Sequence, residues 1–113
     1  MKRSGYAVLA ILFASSLAFG HAQLTASMPA DKESLAAAPK EVVLHFSEPV
    51  RLTALFVTPS GGKRQDLAGI PAAQAKDFTV AAPGLGEGTY EVSWRALSAD
   101  SHVMTGSFTF VVH

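Results

Sequence analysis

Apolar and polar positions alternate with a period of two in four short stretches of the chain after residue 20. This period is typical of β-strands with one buried face, because successive side chains of a strand point to opposite sides of the sheet. Helical periodicity is almost absent from the same part of the chain. The alternation predicts strands over residues 24–28, 42–47, 90–96 and 107–112, and the largely apolar residues 52–58 and 78–81 are two further candidate strands.

Glycine and proline separate these stretches. Pro29 ends the first one, and the turn sequence Pro59-Ser60-Gly61-Gly62 follows another. Residues 63–77 have no firm pattern: they allow one helical turn, but Gly69 and Pro71 favour a loop. Short strands separated by such turns predict an all-β sandwich or barrel that forms a single domain.

One short motif favours a Greek-key arrangement of the strands. Tyr90 follows Gly88 by two residues and stands at the start of the predicted strand 90–96. This spacing resembles the tyrosine corner of Greek-key sandwiches, in which the phenol hydroxyl bonds to the backbone a few residues upstream. The alternative is that Tyr90 is simply an aromatic residue of the strand.

Residues 1–20 have the layout of a secretory signal peptide. Two positive residues come before an apolar run, and Ala18 and Gly20 are small residues at the −3 and −1 positions of a cleavage site before His21. A retained N-terminal anchor is the alternative, although the apolar run is shorter than the roughly 20 residues of a membrane-spanning helix. We expect processing that leaves a domain of residues 21–113.

The charge and the absence of cysteine exclude several classes of function. Loss of residues 1–20 would leave seven Lys and Arg residues against nine Asp and Glu residues, a formal charge of −2. The expected domain therefore has no basic stripe for nucleic acid, whose phosphates require clustered Lys and Arg. Without cysteine there is no disulfide, no thiolate zinc site and no cysteine nucleophile. Any metal must be held by nitrogen and oxygen donors.

Cleavage before His21 would place a free α-amine and an imidazole on the same residue. Both nitrogens can chelate a single ion, and Cu(II) can displace the amine proton near neutral pH. Amine and imidazole nitrogens suit Cu(II), which also has the highest affinity among the common divalent ions. The alternative is that a histidine stands near the cleavage site by chance.

A second candidate is the pair Asp100 and His102. In an extended segment, residues i and i+2 point the same way, so a carboxylate oxygen and an imidazole could face one ion. A bare Asp-x-His is also common in surface turns, where both side chains are solvated. The pair becomes a metal site only where the fold brings His21 to it.

Other polar and aromatic residues have weaker claims. Glu48 precedes Pro49 at the end of a predicted strand. It could be a turn residue or a hydrogen-bond acceptor that orients an imidazole. His45 is out of phase with its apolar neighbours and is expected on the surface. We expect His113 to be frayed at the end of the chain and Trp94 to pack in the core.

Several segments resemble the CopC/PcoC copper-resistance family. The resemblance covers nearly all of residues 21–113, and its most specific part runs from Gly88 to Phe110. The segments are His21 with Leu24, Ser27 to Asp31 (SMPAD), Leu44 to Glu48 (LHFSE), Gly88 to His102 (GTYEVSWRALSADSH) and Thr105 to Phe110 (TGSFTF).

The resemblance implies a fold, a location and a ligand set. Members of this family are periplasmic, immunoglobulin-like Greek-key β-sandwiches or barrels that carry copper. His21 would supply its amine and imidazole, and Asp100 and His102 would complete a site for one Cu(II) ion. Glu48 matches a family glutamate near the site, where we expect it to orient a ligand rather than bind the ion.

The chain departs from some relatives that carry a methionine-rich loop for Cu(I). After residue 20 it has only Met28 and Met104, and the loop region 58–77 contains no methionine. Thioether ligands are those that Cu(I) selects. The departure therefore favours a member that binds Cu(II) only.

The leading hypothesis is a monomeric periplasmic copper carrier or buffer rather than an enzyme. The resemblance implies delivery to an inner-membrane copper transporter of the CopD type. A rival hypothesis is an oxidative polysaccharide-cleaving monooxygenase, whose copper also binds an N-terminal histidine; an Asp100 ligand argues against it by stabilising Cu(II). A third is a metal-free structural or adhesion module.

Overall fold

The computed structural model describes residues 22–113, and seven strands make up the regular structure of this part of the chain. No helix in residues 22–113 is long and apolar enough to span a membrane. The strands are β1 (Leu24–Met28), β2 (Glu33–Leu35), β3 (Glu41–Pro59), β4 (Gln65–Asp66), β5 (Ala75–Ala81), β6 (Gly88–Leu97) and β7 (Val103–Val112).

Strand β3 is the central element of the fold. Its first half pairs antiparallel with β1 and β5, and its second half pairs antiparallel with β6 and β4. Strand β6 continues to β7, and β7 pairs in parallel with the short β2. The strands thus form one curled sheet in the order β1-β3-β6-β7-β2, with β4 and β5 also on β3. The two parts of this sheet pack face to face as the predicted sandwich.

The prediction of separate strands over 42–47 and 52–58 is wrong. These residues belong to the single 19-residue strand β3, which bends between its two halves. Its pairing with β5 is irregular between His45 and Val50, and Pro49 lies in this interval. A proline lacks the N–H that a regular ladder needs, so it is tolerated where the pairing is interrupted.

The inner faces of the strands form one apolar core, as the alternation predicted. Val42, Leu44 and Phe46 of β3 are buried from one side, and Val92, Trp94 and Ala96 of β6 from the other. The rings of Phe46 and Trp94 meet edge to face, with centroids 5.1 Å apart. This confirms that Trp94 is a core residue.

The remaining strand predictions differ mainly in their bounds. Strand β1 has the predicted limits, while β5, β6 and β7 each extend beyond theirs. Strands β2 and β4 were not predicted, because three and two residues are too few to show an alternation. The region 63–77 is a loop only in part, since it contains β4 and the first residues of β5.

The tyrosine corner is confirmed at the start of β6. The Tyr90 hydroxyl donates to the carbonyl oxygen of Gly86 at 2.9 Å, and the Gly86 N–H donates back to the hydroxyl oxygen at 2.8 Å. The ring of Tyr90 stacks on Phe110 of β7, with centroids 5.2 Å apart. These contacts fix the loop before β6 against the strand that it begins.

Candidate metal centre

Asp100 and His102 lie in the tight connection between β6 and β7. The Ser98 N–H donates to the His102 carbonyl oxygen at 3.0 Å, and the Ser101 N–H donates to the Ser98 carbonyl oxygen at 2.9 Å. Ser101 has a positive φ of 69°, a left-handed conformation that occurs in tight turns. Because the long paired strands β6 and β7 hold both ends of the turn, the positions of its backbone atoms are fixed.

Ser98 holds the turn in place from its buried side. It is buried, with 7% of its surface exposed, and its Oγ accepts the backbone N–H of His102 at 3.1 Å. The same hydroxyl donates a short hydrogen bond to Oδ1 of Asp100. Sequence reasoning missed this role. The available signal was a serine at a strand end two residues before an aspartate, a spacing at which side chains commonly bond to nearby polar groups.

The Asp100 carboxylate and the His102 imidazole converge. Oδ2 of Asp100 lies 3.1 Å from Nδ1 of His102, and 62% of each side chain is exposed. Two donors at right angles around Cu(II), each roughly 2.0–2.1 Å from the ion, are ~2.9 Å apart. The observed separation is therefore compatible with two adjacent ligands of one ion.

The prediction of an extended segment at residues 100–102 is wrong. Residues 100–102 are not extended, since residues 98–102 lie between the strands and Ser101 is in the left-handed region. The two side chains approach because the backbone turns and Ser98 holds the carboxylate. The pairing itself is as expected.

His21 lies outside the described residues, and the chain that follows it is firmly attached. Ala22 is buried in the core. The Gln23 N–H donates to Ser47 Oγ at 2.9 Å, and the Ser47 N–H donates to the Gln23 carbonyl oxygen at 2.8 Å. The start of the described chain is thus fixed beside Ser47 and its neighbour Glu48.

This attachment lies at the same end of the sandwich as the Asp100–His102 turn. Arg51 of β3 pairs with Leu97, the last residue of β6 before the turn. Ser47 precedes Arg51 by four residues, which is at most about 13 Å along an extended strand. The register therefore brings the start of the described chain, the bend of β3 and the turn to one end of the fold.

Glu48 occupies the bend and is exposed. It does not join Asp100 and His102, because residues 22–113 contain no group of three or more His, Asp or Glu side chains that is arranged to hold a metal. Of the four predicted site residues, the structure brings two into contact, places Glu48 at the same end of the fold and does not describe His21.

The other two histidines have partners of their own. Nδ1 of His45 lies 2.6 Å from Oδ1 of Asp77, and the two residues face each other across β3 and β5. The prediction that His113 is frayed is wrong. Its N–H donates to the Leu35 carbonyl oxygen at 2.9 Å, and its Nε2 lies 2.5 Å from Ser34 Oγ.

The sequence and the fold match known proteins over nearly the whole described chain. Residues 24–113 match the family described as "CopC domain". The copper resistance protein C of Pseudomonas syringae pv. tomato is 36% identical over 125 residues, covering 99% of this chain and 98% of that protein.

Two solved structures have the same fold. CopC from Methylosinus trichosporium OB3b has a TM-score of 0.71 at 32% identity, covering 81% of this chain and 93% of that one. PcoC, a methionine-rich copper resistance protein from Escherichia coli, has a TM-score of 0.62 at 34% identity, covering 83% of this chain and 100% of that one.

A further relative is much longer than this chain. The copper transport protein CutJ of Bacillus subtilis strain 168 is 28% identical over 120 residues, which is 99% of this chain but 22% of that protein. The domain match over residues 24–113, the identity to copper resistance protein C and the two structural matches agree. The chain therefore belongs to the CopC family.

Proposed function

We propose that this protein is a copper-binding protein of copper resistance or homeostasis, which binds one Cu(II) ion through His21, Asp100 and His102. The observation that carries the proposal is the Asp100–His102 pair, whose oxygen and nitrogen lie 3.1 Å apart in a turn fixed by Ser98. Imidazole nitrogen suits Cu(II), and an anionic oxygen beside it favours the divalent ion. The relatives named for copper resistance support copper as the cargo.

His21 supplies the remaining donors in this proposal. Residues 1–20 act as a signal peptide, and cleavage leaves a domain of residues 21–113 that begins with a free α-amine. The attachment of Gln23 to Ser47 supports a ligand role for His21, because it fixes the chain two residues further on, at the end of the sandwich that holds the turn. Glu48, exposed at the bend, orients a ligand without binding the ion.

The proposed site selects Cu(II) over Cu(I). The two methionines of the described chain lie on different strands, Met28 opposite Val43 on β3 and Met104 opposite Ala96 on β6. They do not form the thioether cluster that Cu(I) prefers. We expect Cu(I) to bind weakly, as competition with a chromogenic chelator will measure.

The protein acts as a monomeric periplasmic carrier or buffer that delivers copper to a copper-transporting protein of the inner membrane, of the CopD type. The longer relative CutJ supports this role, since it is named a copper transport protein and includes a segment similar to the whole of this chain. A carrier is favoured over an oxidative enzyme because a carboxylate ligand resists the reduction of Cu(II) on which oxygen activation depends.

The proposal is tested on protein secreted from the full-length gene. Intact-mass analysis reports the first residue, and a Cu(II) titration followed by electron paramagnetic resonance reports the stoichiometry and the donors. We expect a chain that begins at His21 and binds one Cu(II) ion in a tetragonal site with nitrogen donors. A chain that begins elsewhere, or one that binds no Cu(II), contradicts the proposal.

A further inference from the structure

The outer face of β3, β6 and β7 carries a distinct group of side chains directly beside the Asp100–His102 turn. Arg51 lies opposite Leu97, Leu97 lies opposite Val103, and Arg95 lies opposite Thr105 in the register of the sheet. Residues directly opposite each other in antiparallel strands share a face. We call these five residues the hairpin patch.

The hairpin patch has an apolar centre with positive charges beside it. Val103 is 54% exposed, one of two large hydrophobic residues in the described chain that are so exposed, and Leu97 is half-buried next to it. Arg51 and Arg95 are both exposed. The ion pairs within residues 22–113 involve other residues, namely His45 with Asp77, Arg64 with Asp66 and His102 with Asp100. Both guanidinium groups are thus available to a partner.

We propose that the hairpin patch docks the protein that receives the copper, through a surface of that protein on which carboxylates surround an apolar side chain. This inference rests on the proposed function, because the patch gains its role from the neighbouring site. Val103 follows His102 directly, about 3.8 Å away between Cα atoms, so a partner on the patch lies against the site. The copper then passes between proteins without crossing open solvent.

The chemistry of the patch favours a protein partner over a membrane. A guanidinium binds a carboxylate through two parallel hydrogen bonds, and arginine together with an apolar centre is typical of protein interfaces. Two cations and no aromatic residue are too few for stable membrane binding, which uses longer basic clusters or interfacial aromatic residues. The row Arg51–Leu97–Val103 spans only about 10 Å across three strands, a size suited to a brief contact that ends after transfer.

The test uses the processed protein labelled with ¹⁵N and two short blocked peptides, one of alternating Asp and Leu and one of alternating Lys and Leu. We expect the acidic peptide to shift the amide signals of Leu97, Val103 and Thr105, and the basic peptide to leave them unchanged. The double variant R51E/R95E is expected to weaken acidic-peptide binding by about tenfold or more. The matched control K40E/K63E has the same change in net charge at exposed residues of other loops and is expected to bind as the parent does.

Three further measurements separate this inference from its alternatives. Shifts outside the patch, or equal weakening in both double variants, overturn it. If the parent protein binds phosphatidylglycerol vesicles and R51E/R95E does not, the patch binds a membrane. If the parent protein self-associates and Val103→Ser does not, the patch binds a second copy of the chain. Either result overturns the inference. R51E/R95E should still bind one Cu(II) ion, because neither arginine is a proposed ligand. If the parent protein itself binds no Cu(II), the proposed function is wrong, whereas the peptide measurements test the patch separately.

Discussion

The indole of Trp94 lies against Gly106 on the neighbouring strand, so closely that a Cβ atom on Gly106 would fall 2.6 Å from Cζ2 of the ring. The two residues face each other across β6 and β7, and only glycine leaves room there for the indole. The indole also meets the ring of Phe46 edge to face, with centroids 5.1 Å apart, so a shift of the indole would disturb this second contact. Gly106 in the segment TGSF is therefore required for the packing of Trp94.

The contact predicts that Gly106→Ala destabilises the fold. Overpacking of a well-filled core costs roughly 1–3 kcal/mol, and we expect a loss of about 2 kcal/mol in the free energy of unfolding. Urea denaturation followed by Trp94 fluorescence measures it. Gly86→Ala is the control, since a Cβ there meets nothing within 4 Å, and it should change the stability by less than about 0.5 kcal/mol.

Removal of the Ser98 hydroxyl should loosen the turn without unfolding the protein. Ser98→Ala loses the bonds to Asp100 and to the His102 N–H. Partners that orient metal ligands typically contribute 10–100-fold to affinity, and we expect Cu(II) affinity to fall by about tenfold in a competition titration. Ser93→Ala, a half-buried serine of the same strand, serves as the control. An unchanged affinity in Ser98→Ala would show that the hydrogen bonds of Ser98 do not contribute to Cu(II) binding.

The Asp100 carboxylate should control both affinity and reduction potential. Asp100→Asn keeps the shape but removes the charge that stabilises Cu(II), so Cu(II) binding weakens and the Cu(II)/Cu(I) potential rises. His102→Ala should weaken binding further, because it deletes a nitrogen donor, and Glu48→Gln should have a smaller effect than either. Titrations and voltammetry check these three variants, with circular dichroism as the control for folding. An unchanged affinity and potential in Asp100→Asn would remove Asp100 from the ligand set.

The sequence supported the fold more fully than the site. Alternation at Val42-Leu44-Phe46 and Val92-Trp94-Ala96 reports which face of a strand is buried, and the structure agrees. The alternation cannot show that two such stretches form one strand, because the interruption at Pro49 looks the same in the sequence as the end of a strand. Strands as short as β2 and β4 form because a neighbour offers an edge, which depends on residues distant in the sequence.

The site depends on contacts that no local pattern contains. Asp100 and His102 are close in sequence, so their pairing was predictable, although the turn that produces it was not. The role of Ser98 follows from its burial, and the attachment of Gln23 to Ser47 joins residues 24 positions apart. The predicted ligand role of His21 stays a prediction.

The proposed site requires the α-amine of His21 to bind the ion together with its imidazole. One added alanine before His21 keeps the imidazole and turns the amine into an amide, which is a poor ligand while it holds its proton. The direct measurement compares Cu(II) affinity of the native and extended proteins by competition titration, with one alanine added after His113 as the matched control. We predict a loss of about 100-fold or more, close to 3 kcal/mol, in the N-terminally extended protein alone. Equal affinity in the native and N-terminally extended proteins would show that the α-amine of His21 is not a ligand.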